Sequence, residues 1–367
     1  MPETRIDALA HVLVDYSAEV QPGQFVWING GAAASPLLLA IYRHVLERGA
    51  HPFLTSQPDE TEAVFYRHAD DDQLAFVSPA HRTLVEEIDA QINVLSQTNT
   101  KALSNVDPAK QAKRAGAAQE LQSRFMQRAA DGELNWTLTL FPTSAYAQDA
   151  EMSLGEFEDF VFGAALLERD DPIAAWKELS AHQQRLVDWL SEKADVHLTG
   201  PGTDLRLSIR DRVWINADGR RNFPDGEVFT APVEDSVEGQ IRYTYPAVFQ
   251  GREVEGVRLT FEGGRVVDAS AEKNESFLHQ MLDADDGARR IGEFAIGTNP
   301  GIQRFSKNIL FDEKIGGTVH LALGKGYPDT GSQNDSAIHW DMICDLREGG
   351  QVTVDGTPFA RDGEILI

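Results

Sequence analysis

The residues best suited to chemistry lie in the second half of the chain, as carboxylates and imidazoles set into apolar runs. In 338–343 (IHWDMI), Ile338, Trp340 and Met342 alternate with His339 and Asp341. On a strand, that alternation puts the histidine and the aspartate on one face, where they can share a metal ion. In 318–324 (TVHLALG), Val319, Leu321 and Leu323 face one way and His320 the other, beside small Ala322 and after Gly316-Gly317. That spacing leaves room for a ligand next to the imidazole. Glu227 opens an apolar stretch after an Asp225-Gly226 turn, Glu293 stands alone in IGEFAIG (291–297), and Glu313 sits in the more polar run LFDEK (310–314). Burying an unpaired carboxylate is costly or forces it neutral. A divalent cation offsets that cost; so would an arginine. Each motif alone also reads as an ordinary polar face or a satisfied histidine. Together, Glu227, Glu293, Glu313, His320, His339 and Asp341 offer oxygen and imidazole donors suited to two hydrolytic divalent ions such as zinc, cobalt or manganese.

The elements that must position these groups fall into two expected domains. Up to about residue 195 the pattern is α/β. Phe25 to Ile28 reads as a strand, Ser35 as an N-cap with Pro36 at the first helical position, Gly49 as the helix end, and Pro52 to Leu54 as a second strand. This βαβ order predicts a parallel sheet. Further strands are expected at 74–77, 92–95 and 136–141, and helices at 108–130, 154–167 and 172–193. Ile6, Leu9, Val12, Leu13 and Val20 read as one helix face. From 196 to 367 the chain turns to glycine-punctuated alternation. Leu205, Leu207 and Ile209, then Val257, Leu259 and Phe261, alternate with polar residues, with turns at 262–265 and Asp355-Gly356 and one helix near 275–282. The expected fold is therefore an α/β N-terminal domain with a parallel sheet, followed by a β-rich, mostly antiparallel C-terminal domain that carries the metal ligands.

Composition narrows the functional classes. The formal net charge is −25 over 367 residues, a surface that repels nucleic acid and anionic membranes. Nine of the 33 basic residues are lysine, and scarce lysine with excess acid points to a halophilic, salt-adapted surface. No apolar run has the length of a membrane span, and the N-terminus does not read as a signal peptide. Cys344 is the single cysteine, which excludes an internal disulfide and a CxxC zinc site and fits a reducing cytoplasm. The GxGxxG and P-loop patterns are missing after Ile28, so Gly30-Gly31 is a weak nucleotide signal.

Four stretches carry a resemblance to a known family: 222–233 (NFPDGEVFTAPV), 291–306 (IGEFAIGTNPGIQRFS), 309–324 (ILFDEKIGGTVHLALG) and 336–343 (SAIHWDMI), with a weaker one at 141–154 (FPTSAYAQDAEMSL). They resemble the aminopeptidase T / aminopeptidase S family of metallopeptidases. The resemblance implies a metal-dependent exopeptidase that releases N-terminal amino acids, and a two-domain homodimer enclosing its active site. It places Glu227, Glu293, Glu313, His320, His339 and Asp341 on metal-binding positions and Tyr327 on a tyrosine lining the site. The Glu313–His320 spacing and the shorter span from His320 to His339 depart from many members, so substrate preference does not carry over.

The expected chemistry is water activation by two metal ions on a peptide with a free N-terminus. A glutamate carries the proton, Glu293 first and Glu313 second, and Tyr327 hydrogen-bonds the developing oxyanion. The alternatives are another dinuclear amidohydrolase or deacylase acting on small amides, and a non-catalytic module with structural metals.

Overall fold

The computed structural model describes residues 3–367. It divides into two compact units, one running to Ile173 and taking back Gly219–Pro224, the other formed by Ala174–Asp218 and Asp225–Ile367.

The first unit is built on a five-stranded parallel sheet in the order His51–Gln57, Phe25–Gly31, Ala90–Leu95, Asn135–Leu140, Asn222–Phe223. Val26, Ile28, Ile92 and Val94 are buried along its central strands. The helix Pro108–Ala130 starts where expected, with the Asp107 carboxylate accepting from Ala109 N at 2.9 Å.

Three expectations here are corrected. Ser35 is not an N-cap: a 3-10 turn, Ala32–Ala34, leads directly into the helix Ser35–Glu47, and Ser35 Oγ donates back to Ala32 O. The apolar run near 74–77 is not a strand. Asp70 and Gln73 form a reciprocal capping box that starts the short helix Asp71–Ala75, burying Leu74. The first helix, Glu3–Val12, passes at Leu13–Ser17 into a π turn, so Val20 lies beyond it, although Leu9, Val12, Leu13 and Val20 are all buried.

The second unit holds two large antiparallel sheets and a two-stranded ribbon, Ala247–Phe249 with Arg252–Val254. One large sheet has eight strands; the other has five, in the order His339–Asp345, Thr318–Gly324, Ile291–Gly297, Glu227–Thr230, Ile215–Ala217. A single apolar core takes Leu198, Leu205 and Leu207 from the first sheet and Phe294, Leu321 and Trp340 from the second. Leu186, Val187 and Leu190 of the helix Pro172–Leu190 join this core, so the division between units falls earlier than the change of composition at 195. The hairpins at 262–265 and Asp355-Gly356 and the helix Glu275–Leu282 form as the pattern indicates. Among the described residues, no helix is long and apolar enough to cross a membrane.

Candidate metal centre

The five-stranded sheet explains how distant residues meet. His320 and Ala322 point to one face of their strand while Val319, Leu321 and Leu323 enter the core on the other. Register then fixes the neighbours. Ala322 is flanked by Asp341 on one side and Glu293 on the other, His320 lies across from Ala295, and His339 lies across from Gly324. Glu227 lies across from Gly297. Each large donor therefore stands beside a small residue on the adjacent strand, which keeps the space over the sheet open for the donors themselves.

Backbone detail aims two of the glutamates. Gly226 holds φ +122°, and a Cβ there would fall 2.7 Å from Asn299 Cβ, so only glycine lets the chain turn into Glu227 at this point. Asn299 Nδ2 donates to Asp225 O at 2.6 Å, and the buried Gln183 side chain donates to Glu227 O. The ladder slips by one residue between Ile291 and Glu293, a bulge of the kind that re-aims a side chain. Glu313 arrives differently, on the turn that ends the short helix Ile309–Asp312.

Donor atoms of Glu227, Glu293 and His320 lie within 4.8 Å of one another, as do those of Glu313, His320 and Asp341. His320 Nε2 is 3.0 Å from Glu293 Oε1 and 3.4 Å from Glu227 Oε2. His339 Nε2 is 3.8 Å from Glu293 Oε2 and 3.4 Å from Asp341 Oδ1. The two oxygens of Glu293 thus face two different imidazoles. Glu227 Oε2, His320 Nδ1 and Asp341 Oδ1 are buried without a hydrogen bond. His339 is oriented by its Nδ1, which faces Lys325 O at 2.7 Å.

Electrostatics mark the same cluster. Burial, with Glu313 nearby and Lys314 opposing, raises the Glu227 carboxyl well above its usual range. Burial also raises Glu313, against the pull of Lys314. Asp341 goes the other way: burial lifts it, but His339, His320 and Lys314 together hold it below the usual value. Burial opposes charge on the histidines, yet Glu293 and the other carboxylates lift His320 to about 9, and Asp341 and Glu293 lift His339 to about 10. The carboxylates thus draw positive charge onto the imidazole nitrogens, the place a metal cation would take.

Two members of the cluster were not singled out from sequence. Lys314 is completely buried, in close contact with Glu313 and 3.8 Å and 3.9 Å from carboxylate oxygens of Glu227 and Asp225. Asp225, read as part of a turn, is 2% exposed, and burial pushes its carboxyl up to about 7. A lysine directly after two acids, with apolar Ile309-Leu310-Phe311 before them and Ile315 after it, is the available signal. Tyr327 stays 48% exposed at the edge, its ring 5.2 Å from that of His339 and 5.6 Å from that of Phe229. Burial of the phenol, and then Glu293 and Asp341, raise its pKa.

A buried, cysteine-free group of carboxylates and imidazoles on an antiparallel sheet is the kind of donor set that metal-dependent hydrolases use. The chain belongs to the thermophilic metalloprotease (M29) family, whose model matches residues 2–365. It is 31% identical to Aminopeptidase 2 of Geobacillus stearothermophilus over 98% of this chain and 97% of that protein. It is 33% identical to Aminopeptidase T of Thermus aquaticus over 74% of this chain and 76% of that one. Among solved structures, wild-type AmpT from Thermus thermophilus superposes with a TM-score of 0.86 at 25% identity, covering 99% of both chains.

Proposed function

We propose that this chain is a metal-dependent aminopeptidase that holds two divalent cations in the cluster of Glu227, Glu293, Glu313, His320, His339 and Asp341. The observation that carries the reading is the charge of that cluster. Asp225, Glu227, Glu293, Glu313 and Asp341 contribute five carboxylates to one buried region, with Lys314 the one lysine among them. With neutral imidazoles and every carboxylate ionised, four negative charges are left over, which two divalent ions balance. The orphaned oxygens of Glu227 and Asp341 supply waiting acceptors, and the oxygen and nitrogen donors suit zinc, cobalt or manganese. When bound, such ions polarise a carbonyl and lower the pKa of water toward neutrality.

The residues of the chain divide the remaining work. Glu293 presents its two oxygens to the two imidazoles and would help hold the cations alongside both. That leaves Glu313, whose carboxyl burial raises against the pull of Lys314 and so suits to proton transfer, to take a proton from the attacking water and return it to the departing amine. Water adds across the peptide bond: its oxygen goes to the carbonyl carbon, and the C–N bond breaks as nitrogen gains the proton. Tyr327, protonated and with its ring 5.2 Å from that of His339, would donate to the oxyanion.

The acidic surroundings also suit the α-ammonium of a peptide, which separates this reading from a deacylase. Leucine amide and its N-acetyl derivative, each assayed before and after chelation, test it. Release of ammonia from leucine amide alone, lost on chelation and restored by metal, is expected. Preferential cleavage of the N-acetyl compound refutes it. We propose further that the chain works in the cytoplasm, in keeping with its single buried cysteine, as a homodimer, in keeping with the family resemblance, and with a salt-adapted surface, in keeping with the net charge of −25.

A further inference from the structure

We propose that His11, Asp15 and His44, in the first compact unit, form a further divalent-cation site of the zinc type, outside the catalytic cluster. One ring nitrogen of each histidine and one oxygen of Asp15 lie within 4.8 Å of one another. The backbone builds this convergence. His11 is near the end of the first helix, and the π turn Leu13–Ser17 carries Asp15. Residues four apart on a helix lie on one face, so Asp15 comes to stand over His11, and π turns are frequent at functional sites. His11 Nδ1 consequently sits 2.6 Å from Asp15 Oδ2. His44 comes from the helix Ser35–Glu47 with its ring centre 5.7 Å from that of His11.

The surroundings complete a ligand environment. His44 Nε2 lies 2.8 Å from Asp7 Oδ1, and its Nδ1 lies 3.6 Å from Glu47 Oε2. Whichever nitrogen turns to the cation, a carboxylate faces the other, as metal-bound histidines usually require. Asp7, Asp15 and Glu47 carry three negative charges, and Arg43 and Arg48, paired with Asp7 and Asp15, supply two positive ones. With neutral imidazoles the patch keeps one unbalanced negative charge. The Asp15 and His44 side chains are 14% and 15% exposed while His11 is 51% exposed, so two ligands are fixed and the third can close in. Zinc bonds of about 2.0–2.2 Å set tetrahedral donors roughly 3.4 Å apart, within reach of a rotation of His11. Open solvent at His11 supplies the fourth position. The bound ion would clip the first helix to the second.

The test uses the full chain, loaded with zinc chloride and dialysed, beside the double variant His11→Ala/His44→Ala. The unaltered chain should retain one more zinc per chain, and zinc should raise its Tm more than that of the variant. Leucine amide hydrolysis should be the same in both. Equal zinc content, or activity lost in step with the extra zinc, overturns the assignment. Should the double variant fail to fold, crystals of the Glu293→Gln chain soaked in cobalt provide the second test. An anomalous peak bounded by His11, Asp15 and His44 supports the site, and no peak there refutes it.

Discussion

Lys314 has no exposed surface and three carboxylate neighbours, so its ammonium acts as a fixed counter-charge inside the cluster. Removing one member of a buried ion pair strands the other, at about 3–5 kcal/mol. Lys314→Met is therefore expected to lower the Tm of the metal-free protein strongly, and less so once divalent cations are added, because they neutralise the same carboxylates. Thermal unfolding with and without metal reads this; an unchanged metal-free Tm contradicts it. The residues around Lys314 differ in how visible they are in the sequence. Glu293 stood out because a lone carboxylate in IGEFAIG has no reason to be there without a partner. His320, His339 and Asp341 stood out because strand alternation sorts faces from sequence alone. Lys314 and Asp225 did not, because their partners are brought to them only by the packing of the Ile309–Asp312 turn against the sheet, a contact that no periodicity encodes.

Gly292 marks where the strand Ile291–Gly297 slips register against Thr318–Gly324, one residue before Glu293. A Cβ at this position would fall 2.3 Å from Gly324 O and 2.5 Å from Lys325 O, both backbone atoms that cannot swing aside. Gly292→Ala should accordingly destabilise the fold by about 1–3 kcal/mol and weaken metal binding by displacing Glu293. Calorimetric titration with the metal and a melting curve measure both effects; wild-type values in each would show that the bulge does not set the site. Elements with uninterrupted alternation, such as 318–324, were legible to the residue. The 74–77 run was not. Its apolar LAFV imitates a strand, and the deciding force is the cap formed by Asp70 and Gln73 just upstream. The start of the helix Ser35–Glu47 was misplaced for a similar reason, since Ala32–Ala34 already turns before Ser35.

At the scale of the whole chain, a net charge of −25 works against compactness through self-repulsion. Salt shortens the reach of that repulsion from about 10 Å at 0.1 M to about 3 Å at 1 M. The Tm should therefore rise as potassium chloride increases over that range, and a flat or falling Tm would argue against a salt-adapted surface. A small part of that excess lies inside the protein, where five carboxylates gather around a region holding one lysine and need further positive charge to balance them. Anomalous diffraction from crystals soaked in cobalt or zinc addresses this most directly. Two peaks are expected within the cluster of Glu227, Glu293, Glu313, His320, His339 and Asp341, with Glu293 touching both. An empty cluster, or a single ion that Glu293 does not contact, would contradict it.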